Sequence, residues 1–229
     1  MRRLLFAVAL LSAMTLQAKR WTADEVKDII RKVNTYWQTN NPAEVRSFWD
    51  NAAYHTGNME TYKLFSNEGG KRKEEGAQML DYSIRWAEHN QWKGATEPDP
   101  ANWKYKQYGE GQDYVLFGDW QICFQTYIDL YQIKNEEIRV KRALEVMGYE
   151  ADSRVHDYWW WADALYMVMP VMTKMYKLTG ISILYYHRTV LKRVIKQIVL
   201  MQLYGLAKKV MPDSLSQCRC KFVIFYGRR

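Results

Sequence analysis

The sequence predicts an all-α fold built from helical hairpins. Apolar residues recur at intervals of three and four along most of the 229-residue chain, and no segment shows the alternation of a half-buried strand. Hydrophobic residues make up 48% of the chain and charged residues 25%, which excludes a disordered or collagen-like protein. Three cysteines are too few for a disulfide-stabilised scaffold.

The first predicted element is an export signal at residues 1–18. Arg2 and Arg3 precede an apolar run from Leu4 to Leu16, which has the length of a signal-peptide core and is too short to span a bilayer. We therefore expect an exported protein, located in the periplasm, on the cell surface or in the medium. A buried first helix is the alternative. No later segment predicts a membrane span.

The helices of the body are marked by their ends as well as by their periodicity. Thr22 and Glu25 form a capping box that starts the first helix, and Pro42 closes it. Further helical stripes run over Met79 to Trp92, Trp120 to Tyr131, Val140 to Met147 and Trp161 to Met175. We expect Pro170 to bend the last of these helices and Gly180 to end it.

The net charge of +8 first suggests a nucleic acid or an anionic membrane as partner. The charge is unevenly distributed, however. Residues 19–180 hold 21 Lys and Arg against 24 Asp and Glu, whereas residues 181–229 hold 10 Lys and Arg against one Asp. The body is therefore mildly acidic, and we expect no nucleic-acid partner.

Aromatic and polar residues form three clusters just before or at helix starts, and a fourth in a long predicted loop. The first three lie at residues 49–59, 117–121 and 159–163, and the loop spans residues 92–108. In an array of hairpins, alternate loops meet at one end of the fold. Aromatic rings that can stack on sugar C–H faces, beside side chains that can bond hydroxyl groups, favour a carbohydrate site there.

Asp119 and Asp163 are the candidate acidic groups of that site. Both stand where a helix begins, so capping of free N–H groups is an alternative role that can coincide with catalysis. Tryptophans occupy 159–161, so we expect the Asp163 carboxyl to lose hydration and to hold the raised pKa of a general acid. Judged from the residues alone, His55 is more typical of a packed, hydrogen-bonded histidine.

Metal and nucleotide motifs are absent from the sequence. The four histidines are more than 30 residues apart, which excludes a zinc pair at helical spacing. Cys218 and Cys220 lack a second pair, and Gly109-Glu110-Gly111 lacks the strand and third glycine of a dinucleotide loop. We predict neither a metal site nor a cofactor.

Four motifs, in this order, resemble glycoside hydrolase family 105, the unsaturated rhamnogalacturonyl hydrolases, and the related family 88, the unsaturated glucuronyl hydrolases. They are Ala53 to Met59 (AYHTGNM), Arg85 to Ala95, Gly118 to Gln121 (GDWQ) and Trp161 to Met167 (WADALYM). The resemblance runs from about Trp21 to Gly180. It implies an (α/α)6 barrel, twelve helices in six hairpins, which agrees with the helical pattern above.

The resemblance also implies a substrate and a mechanism. The substrate is an oligosaccharide with a 4,5-unsaturated uronic acid at its non-reducing end, left by a polysaccharide lyase. The acid protonates C4, water adds at C5, and the resulting hemiketal opens and releases the sugar. Asp163 matches the general acid/base and Asp119 the second carboxylate. We assign substrate binding to His55, Asn58, Tyr54, Trp120, Trp161 and Trp103.

The body departs from this family in length. Twelve helices need well over ~300 residues at roughly 25–30 residues per helix and loop, so residues 19–180 correspond to about half a barrel. Segment 67–78 looks like a polar insertion in a hairpin turn. We expect little turnover from this chain and self-association through uncovered helix faces. The alternative is a non-catalytic glycan-binding or inactive fragment.

Residues 181–229 match the family at no clear point. We interpret this basic tail as a frameshifted or replaced C-terminus. The alternative is a native amphipathic helix that binds an anionic surface, because Leu191, Ile195 and Ile198 share one side with lysines nearby.

Overall fold

A computed structural model describes residues 20–155, 157–159 and 163–180, and all regular structure in these residues is helical. Eight α-helices and one short 3-10 turn follow one another in this part of the chain. They are α1 (Ala23–Asn40), α2 (Trp49–Ser66), α3 (Gly70–His89), the 3-10 turn Pro100–Asn102, α4 (Gly118–Gln121), α5 (Cys123–Ile133), α6 (Ile138–Asp152), α7 (Ala164–Met167) and α8 (Met169–Thr179). The predicted export signal and basic tail lie outside the described residues.

The chain divides into two compact units, and the described part of the first contains α1. The predicted capping box is confirmed. The Glu25 backbone N–H donates to Thr22 Oγ1 at 3.2 Å, and the Thr22 N–H donates to Glu25 Oε2 at 2.9 Å. The helix ends two residues before Pro42, as predicted, because the residue preceding a proline disfavours helical backbone angles.

The second unit comprises residues 43–229, and its described part is organised around α5. Every residue of this helix from Cys123 to Leu130 is buried, which is typical of a helix enclosed on all sides. Helices α2, α3, α6 and α8 pack against it. Side chains such as Phe65, Trp86 and Tyr127 are fully buried in this core. The site described below is therefore built onto a rigid helical centre.

The prediction of a hairpin insertion at 67–78 is wrong. Only residues 67–69 form the turn between α2 and α3, and α3 already begins at Gly70. The polar side chains of its first turns face solvent, so the segment lacked an apolar stripe that would have identified it as helical. Gly76 is buried where α3 approaches α2, and a β-carbon there would lie 3.2 Å from the Phe65 Cβ.

The long connection from residue 90 to residue 117 positions the following helix. Gln91 and Trp92 both have left-handed backbone angles, with φ of 53° and 60°, which only strong local contacts maintain in non-glycine residues. The chain then passes so close to α4 that a β-carbon at Gly94 would collide with the Trp120 carbonyl oxygen. Glycine is therefore required at this point to seat the loop against the turn that carries Asp119.

The single bent helix that the sequence predicts over Trp161 to Met175 is divided in the structure at Val168 into α7 and α8. The chain is helical on both sides of Val168, and Pro170 stands at the start of α8, where its missing N–H costs nothing. Gly180 ends α8 in a left-handed conformation with φ of 68°. Helix α6, by contrast, continues through Gly148 to Asp152. Among the described residues, no helix is long and apolar enough to cross a membrane.

Candidate functional site

Asp119 lies in the single turn of α4 and is 9% exposed. No hydrogen bond to its carboxylate is present among the described residues. Burial raises the pKa of Asp119 to about 6, and the negative charges of Asp163 and Glu110 add to this effect. The carboxyl group therefore keeps its proton to a much higher pH than an ordinary aspartate, which suits proton transfer near neutral pH.

Asp163 stands at the residue preceding α7 and is exposed. Its side chain makes no capping hydrogen bond, so the alternative role that its position suggested is not used here. Its main-chain carbonyl accepts bonds from Tyr166 N–H at 2.8 Å and Met167 N–H at 3.0 Å. The expectation that Asp163 is dehydrated is wrong. Asp119 is the dehydrated carboxyl, because the core encloses α4 whereas Asp163 is at the surface.

A charged cluster that the sequence did not reveal lies close enough to influence Asp119. Arg46 donates to Glu110 Oε2 at 2.5 Å and to Asp50 Oδ2 at 3.2 Å, and the Tyr108 hydroxyl donates to Glu110 Oε1 at 2.5 Å. The hydrogen bonds from Tyr108 and Arg46 lower the pKa of Glu110. Glu110 is therefore a carboxylate, and its charge opposes ionisation of Asp119.

Trp120, a predicted sugar-binding residue, lies in the core. Its ring is 3% exposed and meets Phe48 edge-on, with ring centroids 4.7 Å apart. The Arg46 guanidinium covers Phe48 at 4.6 Å from the ring centroid. This stack connects α4 to the charged cluster. Trp120 thus anchors the turn of Asp119 in the core. Its contact with substrate stays a prediction.

His55 and Asn58 are both 2% exposed and meet at Ser83 of the neighbouring helix. His55 Nδ1 is 3.0 Å from Ser83 Oγ, and Asn58 Nδ2 donates to the same oxygen at 2.7 Å. The His55 ring also stacks on Trp86 with centroids 4.0 Å apart. Burial lowers the pKa of His55 to about 3, so the imidazole is neutral.

The neutral imidazole carries its proton on Nδ1 or on Nε2, and this tautomer determines whether Ser83 Oγ accepts from Nδ1 or donates to it. This arrangement fits the packed, hydrogen-bonded histidine that the residues alone indicated. Tyr54 is half-buried and meets the Tyr82 ring edge-on at 5.9 Å. The assignment of His55, Asn58 and Tyr54 to substrate binding stays a prediction.

Trp103 is an anchor of the long connection. Its ring is 8% exposed, its indole N–H donates to the Glu97 carbonyl at 2.9 Å, and the Arg142 guanidinium lies 5.0 Å from its centroid. The structure thus gives Trp103 a packing role, and substrate contact stays a prediction. Trp161, the remaining predicted aromatic, lies outside the described residues.

Two features of the described residues are separate from the carboxyl pair. A cleft of about 330 Å³ lies between residues 91–98 and 138–145, and neither Asp119 nor Asp163 lines it. No group of three or more His, Cys, Asp or Glu side chains in the described part of the chain is arranged to hold a metal ion. Asp119 and Asp163 remain the interacting carboxyl groups of the described residues, and a catalytic role for them stays a prediction.

The chain is similar to known carbohydrate-active proteins. The model of a family described as Glycosyl Hydrolase Family 88 matches residues 21–204. A glycosyl hydrolase family 88 protein from Bacteroides vulgatus is 45% identical, with a TM-score of 0.66, and the match covers 85% of this chain and 49% of that chain. A polysaccharide lyase is 55% identical, also with a TM-score of 0.66, over 76% of this chain and 45% of that chain.

No match is found among the curated proteins. The chain spans about half the length of the two solved structures it matches. Their likeness confirms the predicted all-α, six-hairpin type of fold. The family match continues past Gly180 to residue 204, so the expectation that the resemblance ends at Gly180 is wrong. The charge boundary at that residue is therefore not a family boundary.

Proposed function

The chain belongs to glycosyl hydrolase family 88, and we propose that it acts on oligosaccharides that carry an unsaturated uronic acid at the non-reducing end. The motifs around His55, Asp119 and Asp163 further favour the rhamnogalacturonyl substrates of the related family 105. Such substrates are products of pectin-cleaving lyases. An acidic body without a metal or nucleotide motif is consistent with a carbohydrate substrate.

The observation that carries this proposal is the electrostatic pairing of Asp119 and Asp163. One carboxyl is buried and stays protonated to about pH 6, and the charge of the other contributes to that shift. Asp163 is exposed, so it is the member of the pair that a substrate can reach. Two interacting carboxyl groups that retain one proton between them can supply and recover a proton within one reaction.

The proposed reaction begins with proton transfer to C4 of the unsaturated sugar. The resulting cation at C5 is stabilised by the ring oxygen, and a water molecule adds to C5 while its proton returns to a carboxylate. Opening of the hemiketal leaves a ketone at C5 and a hemiacetal at C1, which then releases the next sugar. We assign the proton transfers to Asp163 and the storage of the pair's proton to Asp119.

The test follows the loss of the absorbance of the unsaturated uronyl group. We expect low turnover from these 229 residues, because the matched structures use about twice this length. Asp163→Asn and Asp119→Asn should each lower that turnover about 100-fold or more. Asp81→Asn is the matched control, because Asp81 is exposed and, within the described part of the chain, bonds only to Arg85. Turnover that survives Asp163→Asn contradicts the assigned role.

A second candidate function is sugar binding without conversion. It is favoured by the half-length match, since a site assembled from part of a barrel is more open to water and holds a sugar less firmly. Titration with unsaturated and saturated disaccharides separates the two functions. Binding of both sugars without any loss of absorbance supports the non-catalytic candidate, and preference for the unsaturated sugar with conversion supports the enzyme.

A further inference from the structure

A buried series of hydrogen-bonded side chains connects the α4 turn, which carries Asp119, to the segment just before Asp163. Gln121 Nε2 donates to Glu150 Oε1 at 2.5 Å, and Trp159 Nε1 donates to Gln121 Oε1 at 3.3 Å. Glu150 and Gln121 have no exposed surface, and Trp159 is 9% exposed. Burying such polar groups costs free energy, which the hydrogen bonds between them offset.

The orientation of the Gln121 amide is fixed from two directions. The Val115 carbonyl accepts from Nε2 at 3.2 Å, which requires the nitrogen on that side, and the indole N–H of Trp159 requires the oxygen on the other side. The amide N–H that points at Glu150 is therefore a donor. Glu150 accepts this bond and holds Gln121 in place.

The three residues belong to different parts of the site. Gln121 shares the single turn of α4 with Asp119, Trp159 lies four residues before Asp163, and Glu150 lies in the last turn of α6. A second link joins α5 to α7 on the far side of Asp163. There Gln125 Nε2 donates to the Tyr166 carbonyl at 2.7 Å and to the Met167 carbonyl at 2.9 Å. The segment that carries Asp163 is thus tied to α4 before it and to α5 after it.

We propose that Glu150 is a positioning residue which, through Gln121 and Trp159, holds the turn of Asp119 at a fixed distance from the segment of Asp163. The importance of this distance for turnover rests on the proposed function. The positioning itself is independent of the proposed function, because it concerns how strongly the two carboxyl groups interact in the protein without substrate.

The state of Glu150 agrees with a positioning role. No cation pairs with it among the described residues, and Oε2 has no hydrogen-bond partner there. Burial raises the pKa of Glu150 well above that of an ordinary glutamate. The role that the geometry gives this side chain is that of a hydrogen-bond acceptor for Gln121, which the carbonyl oxygen of a glutamine can also fill.

An apolar side chain of similar size separates positioning from stability. Glu150→Met removes a buried polar group with an unpartnered oxygen, but it also leaves one buried Gln121 N–H without its acceptor, so a purely structural argument predicts a loss of stability alone. Positioning predicts in addition that the coupling between Asp119 and Asp163 weakens, although the fold remains.

The experiment measures the pKa of Asp119 by carboxyl-carbon NMR, with Asp163 present and with Asp163→Asn. The difference between the two values is the coupling. It is compared in the wild type, Glu150→Gln and Glu150→Met. We expect the coupling to be unchanged in Glu150→Gln and to fall about twofold or more in Glu150→Met. An unchanged coupling in Glu150→Met overturns the proposal.

Two further variants keep the test decisive. Trp159→Phe removes the indole N–H but keeps a ring, and it should also weaken the coupling if Glu150→Met fails to fold. Ser83→Ala removes a buried hydrogen bond between α2 and α3, and it should leave the coupling unchanged. A loss of coupling in Ser83→Ala equal to that in Trp159→Phe would show a general loosening and overturn the proposal.

Turnover of the unsaturated disaccharide is measured separately. If the wild type converts it, Glu150→Met should lower kcat with little change in KM, and Glu150→Gln should restore kcat. If the wild type binds but does not convert the sugar, the proposed function fails while the coupling experiment still decides the role of Glu150.

Discussion

Two buried aspartates ten residues apart show how differently the same side chain can be used. Asp119 is 9% exposed and Asp129 is 4% exposed. Lys63 and Lys174 approach the Asp129 carboxylate to 3.0 and 2.7 Å, whereas Asp119 has no cationic partner among the described residues and interacts with two other carboxylates. Burial alone therefore does not decide the chemistry of a carboxyl group, because the charge of its neighbours determines which protonation state is favoured.

The neighbours of Asp129 stabilise its negative charge, whereas the neighbours of Asp119 disfavour it. The ion pairs of Asp129 join α5 to α2 and to α8, and Lys174 also donates to the Gln125 carbonyl at 3.1 Å. This region is stabilised by matched charges. The surroundings of Asp119 disfavour its charge, as at many sites where an acid must hold a proton near neutral pH. Substitutions should therefore act in opposite directions in the two regions.

The largest effect is expected from Asp129→Asn. Loss of the carboxylate leaves Lys63 and Lys174 close together, and burial already lowers the pKa of Lys174. We expect the free energy of unfolding to fall by about 3 kcal/mol, as when one member of a buried ion pair is removed. Urea unfolding at pH 7 measures this change. Asp81→Asn is the surface control, and a loss below about 1 kcal/mol would show that the pairs are not structural.

A smaller effect of opposite sign is expected from Asp119→Asn. The pKa of Asp119 is about 6 in the folded protein and near 3.8 in an unfolded chain, so the wild type loses stability as pH rises from 3.8 to 6. The asparagine variant lacks this loss. The full pKa shift corresponds to about 3 kcal/mol, and screening by solvent reduces the expected gain of the variant at pH 8 to about 2 kcal/mol. At pH 3 the two proteins should be nearly equal in stability. Urea unfolding at pH 8 and at pH 3 measures the difference in free energy of unfolding between the variant and the wild type. The same difference at both pH values would contradict the prediction.

The smallest effect is expected from Glu110→Gln, which removes one of the two charges that oppose ionisation of Asp119. The pKa of Asp119 should fall by a fraction of a pH unit, and by less than after Asp163→Asn, because Asp163 makes the larger contribution. Carboxyl-carbon NMR titration at low and high salt measures the pKa of Asp119 in both variants. Glu110 is exposed, so added salt should reduce its effect. If the pKa of Asp119 is the same in Glu110→Gln as in the wild type, Glu110 does not influence Asp119.

The local features of this fold could be read from short stretches of sequence. The capping box at Thr22, the break near Pro170 and the left-handed end at Gly180 each depend on residues within one or two turns. The polar start of α3 could not be read in this way. Its helical state depends on the packing of Gly76 against Phe65, and the exposed turns around it carry no apolar stripe.

The candidate site was predictable only in part. The motifs nominate Asp119 and Asp163 as its acidic groups, which stays a prediction, and the expectation that Asp163 is the dehydrated one was wrong. Glu110 and Glu150 escaped sequence reasoning. Glu110 meets Arg46 across 64 residues of chain, and Glu150 meets Gln121 across 29, so no local spacing could reveal either contact.

The sequence by itself thus determined the helical class, the capped start of α1 and the end of α8, because these follow from periodicity and caps, and its short motifs nominated two acidic residues. Only the tertiary structure decided which carboxyl is buried, which is exposed, and which neighbours set its charge. The reason is physical. A pKa depends on desolvation and on charges that meet through space, and both arise when distant segments pack around α4 and α5.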